Sequence, residues 1–316
     1  MPITKDLSAL PQVPLTNNQP TSSPFLADIL AQAWYARYIE RRGEGYAPAI
    51  PELPYRASSA GFRCDRQLYA TLNKVTPSDP FGVADAWRME LGSMVHADLQ
   101  SLLDELVKVD SSWKSEVVVD LRPIGISGSA HADLVWYTEV GGVLTPDTVV
   151  EVKTINGFGF KRSATNFKGA ADGPRSGHIL QGAMPAAALG AKRLVILYIS
   201  LENVSPALAA AYSASEVGRF MAEWAYNVAD LQPMIQREAA RIARVTRYGP
   251  DDPVPSAEIH DTEYPLGATI MNASGRWELR EGDKLISAGK TWYCDYCDWR
   301  SWCKSQPESV PVMVTL

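Results

Sequence analysis

Residues 149–153 read Val-Val-Glu-Val-Lys, three β-branched residues enclosing two charges. Runs of this kind favour strands, and valines on both sides of a strand mark it as buried. Buried strands seldom carry charge without a reason. Residues i and i+2 of a strand share a face. Glu151 and Lys153 therefore project together, while Val152 points the other way into a hydrophobic layer.

The surrounding sequence supplies partners for that strand. SEVVVDL, SGSAHADLVWY, DTVVEVKTI and RLVILYISL are β-rich runs bounded by Gly, Pro and Asp. Helical periodicity is expected in PFLADILAQAWYARYIERR, from a serine-capped start over residues 58–72, over 83–109 with the stripe Leu91, Val95, Leu99, Leu102 and Leu106, over 176–190 and over 213–247. Residues 249–290 mix turns and short strands, and no internal repeat is visible. The order of helices, strand meander, helix, strand and helices predicts an α/β or α+β core. With 316 residues, 46% apolar and 21% charged, the chain is neither wholly disordered nor collagenous nor a disulfide-dense mini-domain. The net charge of −6 argues against a basic coat for nucleic acid but leaves room for a local basic groove. No run approaches the roughly 18 apolar residues of a membrane span. The N-terminus lacks the pattern of a signal peptide, so a cytoplasmic protein is expected.

Asp133, in HADLVWY, can join Glu151 and Lys153 if the two strands pair. Two carboxylates in one small volume call for a cation. A hard divalent ion such as Mg²⁺ or Mn²⁺ with oxygen ligands fits that need, and Lys153 can then help a water nucleophile and stabilise charge at a phosphate. This is the chemistry of metal-assisted phosphodiester hydrolysis. His131 shares the strand face of Asp133 and is a candidate contact for phosphate. Lys161, Arg162 and Lys168 follow the strand, interleaved with Phe158, Phe160 and Phe167, as expected for contacts to a single strand of nucleic acid. Gly157, Gly159 and Gly169 predict a mobile loop over 156–175. Arg237, Arg241, Arg244 and Arg247 recur at helical spacing as a basic stripe.

The four cysteines are Cys64, Cys294, Cys297 and Cys303. Three form C-x2-C-x5-C and the fourth stands far upstream. Four thiolates can close a site for Zn²⁺ or for an iron–sulfur cluster, and spacing alone does not separate the two. Ligation would staple the start of the domain to its end. Trp292, Tyr293, Tyr296, Trp299 and Trp302 are placed to shield such a site from water.

The run GSAHADLVWY…TVVEVKT resembles the PD-(D/E)xK core of RecB-like nucleases, and most closely the CRISPR-associated iron–sulfur exonucleases and their phage relatives. The resemblance spans roughly residues 55–305. It implies a restriction-endonuclease-like fold, a mixed sheet flanked by helices, with an iron–sulfur region joining the N- and C-terminal segments. It divides the chain into an extension at 1–50, a nuclease domain at 51–305 and a tail at 306–316. Gly92 and His96 match the family's G-x-x-x-H helix, which makes His96 a metal ligand beside Asp133, Glu151 and the Val152 carbonyl. Glu116 matches an acidic position before the Asp strand. Gln181 matches a residue that positions substrate, with Pro185 standing where the family carries tyrosine, and His178, one helical turn before it, is a candidate substrate contact in the same cleft. The lone upstream cysteine and C-terminal trio match the [4Fe–4S] pattern. The implied activity is a metal-dependent DNA exonuclease acting on single-stranded ends in recombination, repair or CRISPR-type processing. Alternatives are an endonuclease on structured DNA with a zinc staple, or a nuclease-fold DNA-binding or assembly module. A recombination or annealing protein is an implied partner, and an oligomer is possible.

Overall fold

The computed structural model describes residues 53–61, 63–80, 82–109, 112–165, 172–202, 204–208, 217–260, 269–270, 276–281, 283–290, 294, 297–307 and 312–314. The expected N-terminal extension and its helix lie outside these residues.

The β-rich runs assemble into one mixed sheet. Strand β1 (Tyr55–Arg56) and β2 (Trp113–Asp120) both pair with β3 (Gly128–Val140), the first in parallel and the second antiparallel. A hairpin joins β3 to antiparallel β4 (Val143–Ile155), with β5 (Arg193–Ser200) parallel to β4 and β6 (Met221–Asn227) antiparallel at the far edge. The central strands β4 and β5 are the most apolar because both of their faces are covered. On one face lies the helix Val83–Val109, which follows the short α1 (Asp65–Leu72) and is α2 here. Its Val95 and Leu99 pack on Leu134, Val150, Val152 and Ile199. On the other face, after α3 (Gly157–Ala164), lies α4 (Ser176–Leu189), whose Leu180, Ala183 and Met184 join the main core with Val135, Val149, Leu194 and Ile196. The protein is thus a mixed α/β structure with a mixed central sheet flanked by helices.

Several expectations are corrected. Residues 213–247 are not one helix: Met221–Asn227 is strand β6, and helix α5 is Val228–Val245. The expected helix at 58–72 is a 3₁₀ turn, Ala57–Gly61, followed by α1 with Cys64 at its N-cap. Leu102 of the expected apolar stripe is exposed. The first half of the expected loop at 156–175 is α3, because Asn156 Oδ1 accepts the Gly159 amide at 2.7 Å and caps the helix despite its glycines. Residues 249–290 contribute to a second sheet in the order β10 (Lys284–Lys290), β9 (Arg276–Glu281), β8 (Thr269–Ile270), β11 (Val312–Val314), β7 (Glu258–His260).

A buried ionic network ties α5 to the segment around Cys64. Arg63, Asp65, Glu238 and Arg241 are all at most 4% exposed. Arg63 Nη2 donates to Glu238 Oε2 at 3.1 Å, and Arg241 bridges Glu238 Oε1 (2.8 Å) and Asp65 Oδ1 (2.7 Å). Burial would raise the carboxyls of Asp65 and Glu238. For Asp65 the His260 hydrogen bond and the Arg241 guanidinium outweigh it, and for Glu238 the guanidiniums of Arg241 and Arg63 do, so both carboxyls stay below their ordinary values. Arg244 also contacts Asp65 and reaches Glu258. The expected basic stripe on this helix is therefore corrected: Arg241 and Arg244 are spent on internal carboxylates, and Arg241 is buried.

Glu238→Ala would leave the buried Arg63 without its carboxylate and Arg241 with Asp65 alone, and should cost about 3–5 kcal/mol. Arg122→Ala, at the exposed Arg122–Asp120 pair, should cost no more than about 1 kcal/mol. Urea denaturation midpoints of the two variants check this, and equal small shifts would contradict the assignment.

Candidate active site

The hydrogen-bonded ladder between β3 and β4 runs from Val140↔Val143 to Leu134↔Val150 and goes no further. At the next position the Asp133 side chain takes over. Its Oδ2 accepts the backbone N–H of Val152 at 2.7 Å. A carboxylate thus closes the fork where the two strands part, between the residues on either side of Val152.

Glu151 emerges from β4 beneath α4 and has no exposed surface. A Cβ built on Gly182 of α4 would lie 3.0 Å from Glu151 Cβ and 2.6 Å from Leu194 Cδ1. Only glycine lets the helix approach this closely. Lys153 Nζ, one-fifth exposed, stands 2.5 Å from Glu151 Oε1. That contact is an ion pair by distance but not by direction, since among the described residues neither Glu151 oxygen has a hydrogen-bond partner. Burial pushes the Glu151 carboxyl up to about 7; Lys153 opposes this, while Asp133 and Glu116 add to it. Glu116 stands opposite Asp133 on β2 with φ of +47°, a left-handed conformation that costs a non-glycine residue of order 1–3 kcal/mol and gathers at functional sites. Its Oε2 is 3.5 Å from His131 Nδ1, and both side chains are about half exposed.

A buried carboxylate met by one lysine, a second carboxylate at the strand fork and a third nearby form a donor set short of positive charge. Oxygen donors and net negative charge fit a hard divalent cation. Glu151 and Asp133 would hold it, with the Val152 carbonyl between them.

The remaining expected residues divide. Gly92 sits tightly under β4, its built Cβ 3.0 Å from Thr154 Oγ1, so α2 packs closely on that strand. His96, one turn on, is half-buried. Even so, the ligand atoms of His96, Asp133 and Glu151 do not gather within 4.8 Å of one another. Gln181, half-buried on α4, is the residue next to Gly182. His178 lies on the first turn of the same helix, its Nδ1 2.6 Å from Tyr198 Oη. Burial keeps the imidazole well below its ordinary value, helped by the charges of Lys153 and Arg175. Arg162 is paired with Asp172 at 2.5 Å and Lys161 is half-buried, while Phe160 is core rather than a stacking surface. Lys168 and Phe167 lie outside the described residues.

Among the described residues a different trio, Asp65, Glu258 and His260, brings three ligand atoms within 4.8 Å. The types suit a divalent ion, and sequence spacing gave no hint of them. Their oxygens, however, already serve guanidiniums: Asp65 receives Arg241 and Arg244, and Glu258 receives Arg244 at 2.8 Å. An ion there would have to displace arginines. At Glu151 the competing cation is the single ammonium of Lys153, at 2.5 Å.

None of the four cysteines is joined in a disulfide. Burial raises the Cys64 thiol most, followed by Cys303, with Cys294 and Cys297 adding to it. Cys297 is pushed up to about 11, chiefly by burial. The four sulfurs therefore share one electrostatic neighbourhood, although no three of them meet within 4.8 Å. The C-terminal trio is anchored to the chain following α1. Trp299 Nε1 donates to Val75 O at 2.8 Å, and Ser301 Oγ donates to Asp79 Oδ1 at 2.8 Å. Trp302 stacks on Tyr69 at 6.4 Å.

No protein-family model matches the chain, and no curated protein does. Among solved structures it is similar to the crystal structure of SSO0001, at 15% identity over 67% of this chain and 88% of that one, with a TM-score of 0.31. It is also similar to the crystal structure of LHK-Exo, an alkaline exonuclease from Laribacter hongkongensis, at 13% identity over 68% and 93% of the two chains, with a TM-score of 0.38. Likeness at this level carries no functional inference. No described helix is long and apolar enough to cross a membrane.

The buried Glu151 sets a pH dependence. Its folded value of about 7 lies above its ordinary 4.5, so the unfolded chain ionises first and stability falls as pH rises through that window. In metal-free protein the loss should approach about 3 kcal/mol by pH 8. Glu151→Gln should remove it, and Mn²⁺ should restore the wild-type protein at pH 8. Urea midpoints at pH 5 and 8 in chelator decide; an equal fall in the variant would contradict the assignment.

Proposed function

We propose that the chain is a metal-dependent deoxyribonuclease of the PD-(D/E)xK type, acting as an exonuclease on single-stranded ends. The observation that carries this reading is the Glu151 carboxylate, fully buried and without a hydrogen bond, set beside the Asp133 that closes the strand fork. The motif resemblance of GSAHADLVWY…TVVEVKT, and the restriction-endonuclease-like arrangement it implies, point the same way.

Asp133, Glu151 and the Val152 carbonyl would hold Mg²⁺ or Mn²⁺, with His96 on α2 as the further ligand that the resemblance implies. A bound divalent ion supplies Lewis acidity at a phosphate and lowers the pKa of water. Lys153, beside Glu151, offers a cationic donor to the charge that develops on the phosphate oxygens. Gln181 would orient water or DNA from α4. Lys161, Arg162, Lys168 and His131 would contact the strand's phosphates, Arg162 after release from Asp172.

For the cysteines the proposed group is a [4Fe–4S] cluster with a structural role. The ground for it is the resemblance of one upstream cysteine and a C-terminal trio to the iron–sulfur pattern, and zinc at the same four cysteines is the alternative. Closing the long loop between Cys64 and Cys294 would constrain the unfolded chain by several kcal/mol in a chain-entropy picture. Recombination, repair or CRISPR-type processing is the proposed setting, with an annealing protein as a partner.

Protein purified without oxygen, incubated with Mn²⁺ and single-stranded DNA labelled at either end, should release short products from one end. Asp133→Ala should reduce cleavage to background and Lys153→Ala about 10²–10³-fold, with iron and acid-labile sulfide retained in both. Internal cuts would move the reading to an endonuclease. Binding without cleavage would move it to an assembly module, and zinc in place of iron would remove the cluster.

A further inference from the structure

A close side-chain contact near Lys153 belongs to a pair outside the metal set. Tyr198 lies on β5 in register with Lys153 of β4. It is 1% exposed, and its ring is wedged edge-on between His178 at 5.5 Å and Trp224 at 5.2 Å. Its hydroxyl accepts the backbone N–H of Arg175 at 3.0 Å, at the N-cap of α4. It also meets His178 Nδ1 at 2.6 Å.

The ring nitrogen gives or takes the proton in that contact according to its tautomer. Arg175 already occupies a lone pair of the hydroxyl, which leaves the proton free to point at the ring. Burial and the neighbouring cations keep the imidazole neutral. A neutral imidazole that accepts at Nδ1 carries its proton on Nε2. His178 and Gln181 are three apart on α4 and share a helix face, and the charge of Lys153 acts on the His178 ring.

We propose that His178, held by Tyr198 as its Nε2–H tautomer, is a fixed uncharged donor to a phosphate oxygen of bound single-stranded DNA, with Tyr198 as its positioning residue. The inference rests on the nuclease reading for the identity of the ligand. It assigns His178 to binding rather than proton abstraction, because an Nε2 that carries the proton has no lone pair with which to act as a base. It also explains why a tyrosine hydroxyl is committed, without exposure, to a histidine at the start of a helix.

Two readouts test it. Long-range ¹H–¹⁵N spectra of the metal-free full chain at pH 7.5 should show His178 as the Nε2–H tautomer, with that preference lost in Tyr198→Phe. Affinity for a short single-stranded oligonucleotide in Ca²⁺ should fall about 10–100-fold in His178→Ala. It should largely survive in His178→Gln, whose amide can replace the N–H, and fall less in Tyr198→Phe. A wild-type protein that binds the oligonucleotide through His178 yet cleaves nothing would uphold this inference while ending the nuclease proposal. An Nδ1–H or charged ring, unchanged affinity in His178→Ala, or no oligonucleotide binding by the wild type would each overturn it.

Discussion

A carboxylate with no exposed surface and no hydrogen bond is an expensive group to keep in a protein interior, and Glu151 is one. The nearest relief, Lys153, is adjacent but poorly directed, and the other neighbours are acidic. Much of the local structure follows from accommodating it. Helix α4 needs Gly182 above it, β3 leaves the ladder so that Asp133 can bridge to Val152, and Glu116 takes up a left-handed backbone opposite Asp133. Each feature is unfavourable or neutral alone. Together they make a cradle of oxygen donors, and in the proposed reading a divalent cation would supply the missing charge.

The rest of the fold holds that cradle still. The valines of β4 anchor one side against α2, and the apolar face of α4 seals the other. Farther away, Arg63, Asp65, Glu238 and Arg241 lock α5 to the segment that carries Cys64, while the C-terminal turn is clamped by Trp299, Ser301 and Trp302. The chain's first and last described regions are joined by these contacts before any metal is considered. A cluster at the cysteines would reinforce a junction that hydrogen bonding already defines.

The sheet was legible because its strands are β-branched and alternate cleanly, so the meeting of Asp133, Glu151 and Lys153 could be read from a period of two. Other features had no local signal. Strand β6, Met221–Asn227, alternates weakly and borders a strong helix, which absorbed it into one long helical reading. Arg241 looked like a surface cation because its partner Asp65 is 176 residues away. Glycines at 157 and 159 read as a loop, but a single capping asparagine outweighed them. The left-handed turn at Glu116 and the Tyr198–His178 contact are tertiary facts that no spacing encodes.

The most direct test of the cradle is to see the ion. Crystals of the full chain soaked in Mn²⁺ and measured at the manganese edge should show an anomalous peak between Asp133 and Glu151, in contact with the Val152 carbonyl and absent from Glu151→Gln. A peak at Asp65, Glu258 and His260 instead, or none at either place, would contradict the assignment of Glu151 as the centre of a metal-dependent site.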